Sequence, residues 1–461
     1  MKVLISPVGK RDPWGTPGCR RPEPLAFGAA LGIALHVQPE LVFLLPTLDR
    51  LDVGHEHTMA EAEATKAALA ELLPGTRVCL RPYDLGDPTD YGQVMPQTER
   101  LLRHILAELG QGEHEVAVNV SSGTPQIQAS LQLAISAGLL AAKAYQAIDP
   151  RYLRTGQPAV REVAVRFWSE ALALDRAQRL FAQSDYEACA REAEFLATSP
   201  QSERRQAAEH LKQLCGLYAA VHHIDYFGAD QAARRLLKAL EGVDAYRDAW
   251  PALARQADVL ARLPKLHPKS KPGEGEQRET TEFLADLYHN AARCLARHNY
   301  ADTLARVWRV LEGTLYLLLR EGHGLEPTDV RASSNAALAE EVIAFLGQQQ
   351  ERKVEVTLGS ALRLFAKCLD DPTYKAFHHA PFPGTQRRTG QVMDELREAR
   401  NQSVVGHDSL PVSEERARQA LALAAQALRA LLPAIDLDGH PFAPTAVNAV
   451  GEVFFQALRR G

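Results

Sequence analysis

The sequence predicts a mostly parallel, doubly wound α/β domain over residues 1–168, an all-helical connector over 169–279, and a second all-helical domain over 280–461. Three observations carry this reading. Strand and helix patterns alternate over the first part of the chain. The strand signal vanishes from 169 onward. The stretch LHPKSKPGEGEQRE (266–279) then crowds Pro, Gly, Lys and Glu together with no large apolar residue after Leu266, as a linker does. A length of 461 residues is also more than one ordinary core fills.

In chain order, KVLISPV (2–8) reads as the first strand. PLAFGAALGIALHV (24–37) is helical, with small residues for close packing. LVFLLPT (41–47) is a continuous apolar run, as a strand buried on both faces requires. An amphipathic helix follows over 58–73, a strand over 77–85 and a helix over 93–109. EVAVNVS (115–121) is a strand and 124–140 a helix; 142–148 and 162–168 close the sheet. The connector predicts five helices, at about 170–183, 186–197, 203–222, 229–241 and 246–263, without a fixed repeat. The last region opens with a long helical pair (280–298 and 300–322), followed by segments at 354–369 and 390–407. It closes with a helix over 413–432 that starts on a Ser–Glu–Glu cap signal.

Composition excludes several classes. The chain is 46% hydrophobic and 24% charged, with a net charge of −5 and no basic block, so it does not coat nucleic acid by charge. Any contact with nucleic acid is local. No apolar run approaches the ~20 residues of a membrane span. The N-terminal MKVLISPVGKRDPWG reads as a first strand rather than a leader, so the expected compartment is the cytoplasm. Six cysteines lie scattered with no C-x-x-C pair. His222–His223 and His378–His379 are adjacent pairs, and there is no H-E-x-x-H, so no metal site is expected.

The turn VNVSSGTPQ (118–126) ends a strand and opens a helix. Ser121, Ser122, Gly123 and Thr124 fall at the carboxyl edge of the sheet, where ligands bind in such folds. Gly123 permits close backbone approach, Thr124 suits the N-cap and Pro125 the first helical position. The free N–H groups and positive helix end would favour phosphate. On the motif alone, an ordinary helix start without a ligand fits as well. No G-x-G-x-x-G or G-x-x-x-x-G-K-[ST] is present, so a dinucleotide or nucleotide-triphosphate enzyme is poorly supported. A second loop, SPVGKRDPWG, brings Gly9, Lys10, Arg11 and Trp14 to the same edge: a turn, two cations and a flat ring able to stack on a base. The bland alternative is a surface loop with a half-buried Trp. Together, the two loops point to a small nucleotide-like ligand.

In REARNQSVVGH (397–407), Arg400 and His407 are seven positions apart. On a continuous helix they would share a face, roughly 10 Å apart along the axis. Gly406 could end that helix and let His407 fold back. An arginine to neutralise a phosphodiester and a histidine to move protons suffice for metal-free RNA cleavage. Asn401 could orient the phosphate. A helix-terminal histidine beside a surface arginine is the ordinary alternative.

NVSSGTPQIQ after the fourth strand resembles the signature of the CARF domain, the Rossmann-like sensor of CRISPR-associated proteins. RNQSVVGH resembles the R-x4–6-H motif of HEPN ribonuclease domains. The order CARF, helical connector, HEPN is similar to that of accessory ribonucleases of type III CRISPR systems. The resemblance implies a metal-independent single-stranded RNA endoribonuclease that leaves 2′,3′-cyclic phosphate. Its activator would be a cyclic oligoadenylate, cyclic tetra-adenylate by family frequency although cyclic hexa-adenylate fits a two-fold axis equally, bound by the first loop (Gly9–Trp14) and by Ser121–Gln126, including Pro125 and Gln126. The family's nuclease motif falls on Arg400, Asn401 and His407. The resemblance also implies a homodimer with two such motifs meeting at the axis, and no cofactor. The alternative is a nucleotide sensor whose HEPN-like half only dimerises or binds a partner.

Overall fold

The computed structural model describes residues 1–15, 27–48, 57–110, 112–149, 152–154, 156–199, 201–263, 280–403 and 410–460. They fall into two compact units, Met1–Leu172 and Ala173–Gly461.

The first unit is one six-stranded sheet. Its strands are β1 (Lys2–Pro7), β2 (Leu41–Leu45), β3 (Arg77–Leu80), β4 (Glu115–Asn119), β5 (Lys143–Ala147) and β6 (Val160–Val163), in the order β3-β2-β1-β4-β5-β6. The first five run parallel and β6 pairs antiparallel with β5. The helices are α1 (Ala29–Val37), α2 (Met59–Leu72), α3 (Tyr91–Leu109) and α4 (Pro125–Ser136). Side chains alternate across the strands. Val3 and Ile5 of β1 pack with Leu102 of α3 and Ile127 of α4. Leu4, between them, packs with Leu31 of α1 and Leu69 of α2 on the other face. Both faces are thus covered, which is why β2 reads as an unbroken apolar run and is buried throughout. Each such side chain contributes about 1.5–3 kcal/mol on full burial.

This topology fixes where a ligand can sit. β1 lies between β2 and β4, so the winding reverses at the β1/β4 pair. The loops leaving these two strands diverge to opposite faces and open a crevice at their carboxyl ends.

The second unit is helical. Its boundary falls within α5 (Phe167–Ala182), followed by α6 (Tyr186–Leu196), α7 (Ser202–His222), α8 (Tyr226–Leu240), a 3₁₀ turn (Asp244–Tyr246) and α9 (Trp250–Arg262). After the 264–279 segment come α10 (Thr281–Ala296), α11 (Tyr300–His323), a 3₁₀ turn (Val330–Ala332), α12 (Ala336–Leu346) and α13 (Leu358–Lys367). The chain closes with α14 (Pro372–His379), α15 (Thr389–Asn401), α16 (Glu414–Leu431) and α17 (Pro444–Arg460). Leu304, Val307, Leu311 and Leu315 line one stripe of α11, buried in a single core that runs from Ala173 to Leu458.

Helices on both sides of 264–279 share that core. Tyr226 on α8 donates its hydroxyl to Asp286 on α10 at 2.7 Å. Arg293, also buried, pairs with Asp286 at 3.4 Å and donates to the Phe442 carbonyl at 2.9 Å. The division expected at 279/280 therefore falls inside one compact unit. The last helix shows this most directly: α17 packs against α7, with Phe455 and Phe181 of α5 edge to face at 5.7 Å. Gly451 makes room, since a Cβ there would lie 2.3 Å from the Phe181 ring.

Candidate functional site

The crevice at the β1/β4 edge is a cleft of about 570 Å³. Of the residues expected to bind ligand, Gly9, Lys10, Arg11, Ser121, Ser122 and Gly123 line it. Four others stand elsewhere. Trp14 is turned against Phe27, with ring centroids 6.3 Å apart, and Phe27 is the aromatic residue that lines the cleft. Thr124, Pro125 and Gln126 open α4 outside the lining. The Thr124 hydroxyl caps the helix by accepting from the Ile127 N–H at 3.3 Å, and it donates to the Pro88 carbonyl at 2.7 Å.

Backbone donors are the cleft's main resource. Among the described residues, the N–H groups of Lys10, Arg11, Ser122 and Gly123 donate to no protein acceptor. Successive open N–H groups around a left-handed glycine form an anion-binding concavity. Gly123 is that residue, at φ +83°. Its missing Cβ would meet Pro7 and Ile127, each at 3.3 Å, so the glycine serves the turn's own conformation and packing rather than ligand approach. The Lys10 ammonium is engaged by Glu61 of α2 at 3.3 Å and by the His57 carbonyl.

Sequence reasoning missed the residues that hold the two loops together. Asp12 is 6% exposed, and its carboxylate accepts from the Gly9 N–H (2.9 Å), the Ser122 hydroxyl (3.0 Å) and the Ala30 N–H (2.9 Å). Burial pushes the Asp12 carboxyl above the ordinary carboxylate range, opposed by those three hydrogen bonds. Asn119, at the end of β4, donates to Ser6 (2.9 Å) and Ser122 (3.1 Å) and accepts from the Ser121 N–H (2.8 Å). An Asp three residues after a loop glycine was the available signal, since such side chains fold back on nearby N–H groups.

In the helical unit, α15 buries Val392, Met393, Leu396 and Ala399 and carries Arg400 in its last turn, half-buried. The Arg400 guanidinium donates to Asn401 Oδ1 at 3.3 Å and forms no ion pair among the described residues. The continuous helix expected from Arg400 to His407 is not what forms. The helix ends at Asn401, and buried Ser403 donates its hydroxyl back to the Arg400 carbonyl at 2.7 Å, an alternative to continuing the helix. Ser403 bridges to Leu410, and the Leu410 N–H donates to the Gln402 carbonyl at 3.0 Å. His407 lies within 404–409, outside the described residues. Among the described residues, no three His, Cys, Asp or Glu side chains gather where they could hold a metal ion.

Residues 274–430 match the family model of the Csm6 HEPN domain. The matched stretch belongs to the helical unit and includes Arg400, and the α/β unit lies ahead of it in the chain. Among solved structures, the chain is similar to Csm6 of Enterococcus italicus, solved with cyclic hexa-2′-fluoro-hexa-dAMP. The TM-score is 0.60 at 15% identity, over 98% of this chain and 100% of that one. No curated protein sequence matches the chain.

Proposed function

We propose that this chain is a cyclic-oligoadenylate-activated, metal-independent endoribonuclease acting on single-stranded RNA in type III CRISPR defence. The observation that carries the reading is the cleft at the winding reversal, ringed by open backbone N–H groups, in a chain whose later part matches a Csm6 HEPN domain. Residues 1–168 serve as sensor, 169–279 as connector and 280–461 as the region bearing the nuclease motif. The cleft offers donors to phosphate from two loops and an aromatic face, Phe27, to a base.

Cleavage uses the RNA's own 2′-hydroxyl as nucleophile. His407 moves the proton, Arg400 neutralises the charge that builds at phosphorus, and Asn401 orients the phosphate. The 2′-oxygen bonds to phosphorus as the 5′-oxygen leaves, giving a 2′,3′-cyclic phosphate and a 5′-hydroxyl. The protein works as a cytoplasmic homodimer, a reading supported by exposed Leu133, Phe167 and Trp168 on the α/β unit (51%, 57% and 70%). A ring on the two-fold axis meets both copies. It switches the nuclease on only by binding the active arrangement more tightly, and a thousandfold activation needs about 4 kcal/mol of that difference.

The test is end analysis of labelled single-stranded RNA incubated with purified protein in EDTA, with and without cyclic tetra- or hexa-adenylate. Ring-dependent cleavage to 2′,3′-cyclic phosphate is expected. Strict Mg²⁺ dependence overturns the chemistry, and equal cleavage without a ring overturns the switch.

A further inference from the structure

The open N–H groups come from two loops more than a hundred residues apart, and something must hold them in register. We propose that Asp12 is the positioning residue of the sensor cleft. Backed by Asn119, its buried carboxylate fixes the loop after β1 against the loop after β4, so that both loops present their N–H groups to one anion. The inference rests on the reading of the cleft as an activator site.

The direction of each hydrogen bond supports this. Asn119 has two amide hydrogens, which go to Ser6 Oγ and Ser122 Oγ. Ser122 Oγ therefore receives one hydrogen bond, and its single proton goes to Asp12 Oδ2. Ser6 passes its proton to the Pro7 carbonyl at 3.0 Å. Ser122 lines the cleft, yet it has no proton left for a phosphate. It is a strut between Asn119 and Asp12, and its contribution to an anion is its backbone N–H.

Asp12 joins three segments: its own loop through Gly9, the β4 loop through Ser122 and the start of α1 through Ala30. All three partners are donors. A carboxylate offers an acceptor on each oxygen; a carboxamide of the same shape has one acceptor end and one donor end. Whichever way it is turned, a carboxamide sets its N–H₂ against Ala30 or against Gly9. The surrounding packing leaves no slack. A Cβ on Gly28 would lie 2.3 Å from Asp12 Oδ1. A free carboxylate facing a phosphate would repel it. This one is buried and turned to three donors of the protein, so it acts through the loops it holds.

The test uses the full-length protein, measuring ring binding calorimetrically with cyclic tetra- and hexa-adenylate and ring-activated RNA cleavage. Asp12→Asn is expected to raise the half-activating ring concentration at least tenfold. The kcat at saturating ring should stay within about twofold of wild type, with a cooperative thermal melt retained. Ser122→Ala should raise the half-activating concentration as well, and the double variant should be no worse than Asp12→Asn alone, because one strut is removed twice. Strictly additive losses would mean that Ser122 contacts the ring directly, and wild-type binding by Asp12→Asn would overturn the proposal. If Asp12→Asn does not fold, Ser122→Ala decides: unchanged half-activation overturns the strut. Wild-type protein that binds neither ring sinks the activator reading itself, a result distinct from all of these.

Discussion

Replacing Gly123 with alanine strains the turn on which the sensor cleft depends. At φ +83°, an L-residue costs roughly 1–2 kcal/mol in backbone strain. The added methyl would also sit 3.3 Å from Pro7 Cβ and 3.3 Å from Ile127 Cγ2. Pro7 ends a central strand and Ile127 is buried, so neither yields freely, and overpacking of this kind adds about 1 kcal/mol or more. The sum is about 2–3 kcal/mol, which in a unit of this size lowers the melting temperature by roughly 4–12 °C. Any relief through movement of the loop displaces the Ser122 and Gly123 N–H groups, so ring affinity should fall at least tenfold. Gly75 supplies the control: its φ is +102°, but a Cβ there meets nothing within 4 Å. Gly75→Ala should show the backbone strain alone, a smaller melting shift with ring affinity unchanged. Differential scanning calorimetry and isothermal titration on the two variants decide the matter. If Gly123→Ala melts like Gly75→Ala and binds the ring like wild type, the turn is not held as described.

Four further outcomes are expected. Arg400→Ala should lower RNA cleavage by on the order of 100-fold or more while leaving the melting temperature unchanged, because α15 is held by Val392, Met393, Leu396 and Ala399 on its other face; an active variant refutes the assignment. Glu61→Gln should release Lys10 for phosphate and tighten ring binding about two- to fivefold, the scale of a partly exposed ion pair; weaker or unchanged binding in calorimetry contradicts it. His407→Ala should lower cleavage on the same scale as Arg400→Ala, about 100-fold or more, and a variant that still cuts at the wild-type rate removes His407 from the mechanism. The helical unit should lose stability in acid. Burial holds His222 down to about 3 and His289 and His440 to about 4. These depressed values mean the folded state binds fewer protons than the unfolded, so the stability they carry is whole above pH ~6.5 and lost as pH falls toward 4. Melting curves between pH 7 and pH 5 should fall with pH; a flat profile would mean these rings are not buried as described.

Much of the fold was legible because its signals are local. Apolar runs bounded by turns gave the first five strands, and the 3.6-residue stripes placed α5 to α11 closely; the last strand, expected at 162–168, forms at Val160–Val163, and Phe167 and Trp168 open α5 instead. The α/β alternation implied the edge at which the cleft forms. What escaped depends on distant contacts. Val447, Val450, Phe454 and Leu458 repeat at helical spacing in α17, yet the helix packs on α7, with Phe455 against Phe181 of α5 and Phe454 against Tyr246, more than two hundred residues earlier, and nothing in the sequence announces that return. The Asp12 hub was hidden for the same reason: Ser122 is 110 positions away. Lys10 reads as a free cation until α2 brings Glu61 beside it. The apolar stripe of α15 stops at Ala399, ahead of Asn401-Gln402-Ser403, where the sequence expectation of a helix running on to His407 departs from the structure. There, a polar run with β-branched Val404 and Val405 behind it favours an end.

The central claim is that a ring in the α/β cleft governs RNA cleavage by the helical unit. The most direct measurement is the initial rate of single-stranded RNA cleavage by the full-length protein in EDTA, titrated with cyclic tetra-adenylate and, in parallel, cyclic hexa-adenylate. A saturable rise of at least tenfold with one of the rings, absent in Arg400→Ala, is the predicted result. A rate that neither ring changes, or one that Arg400→Ala retains, would contradict it.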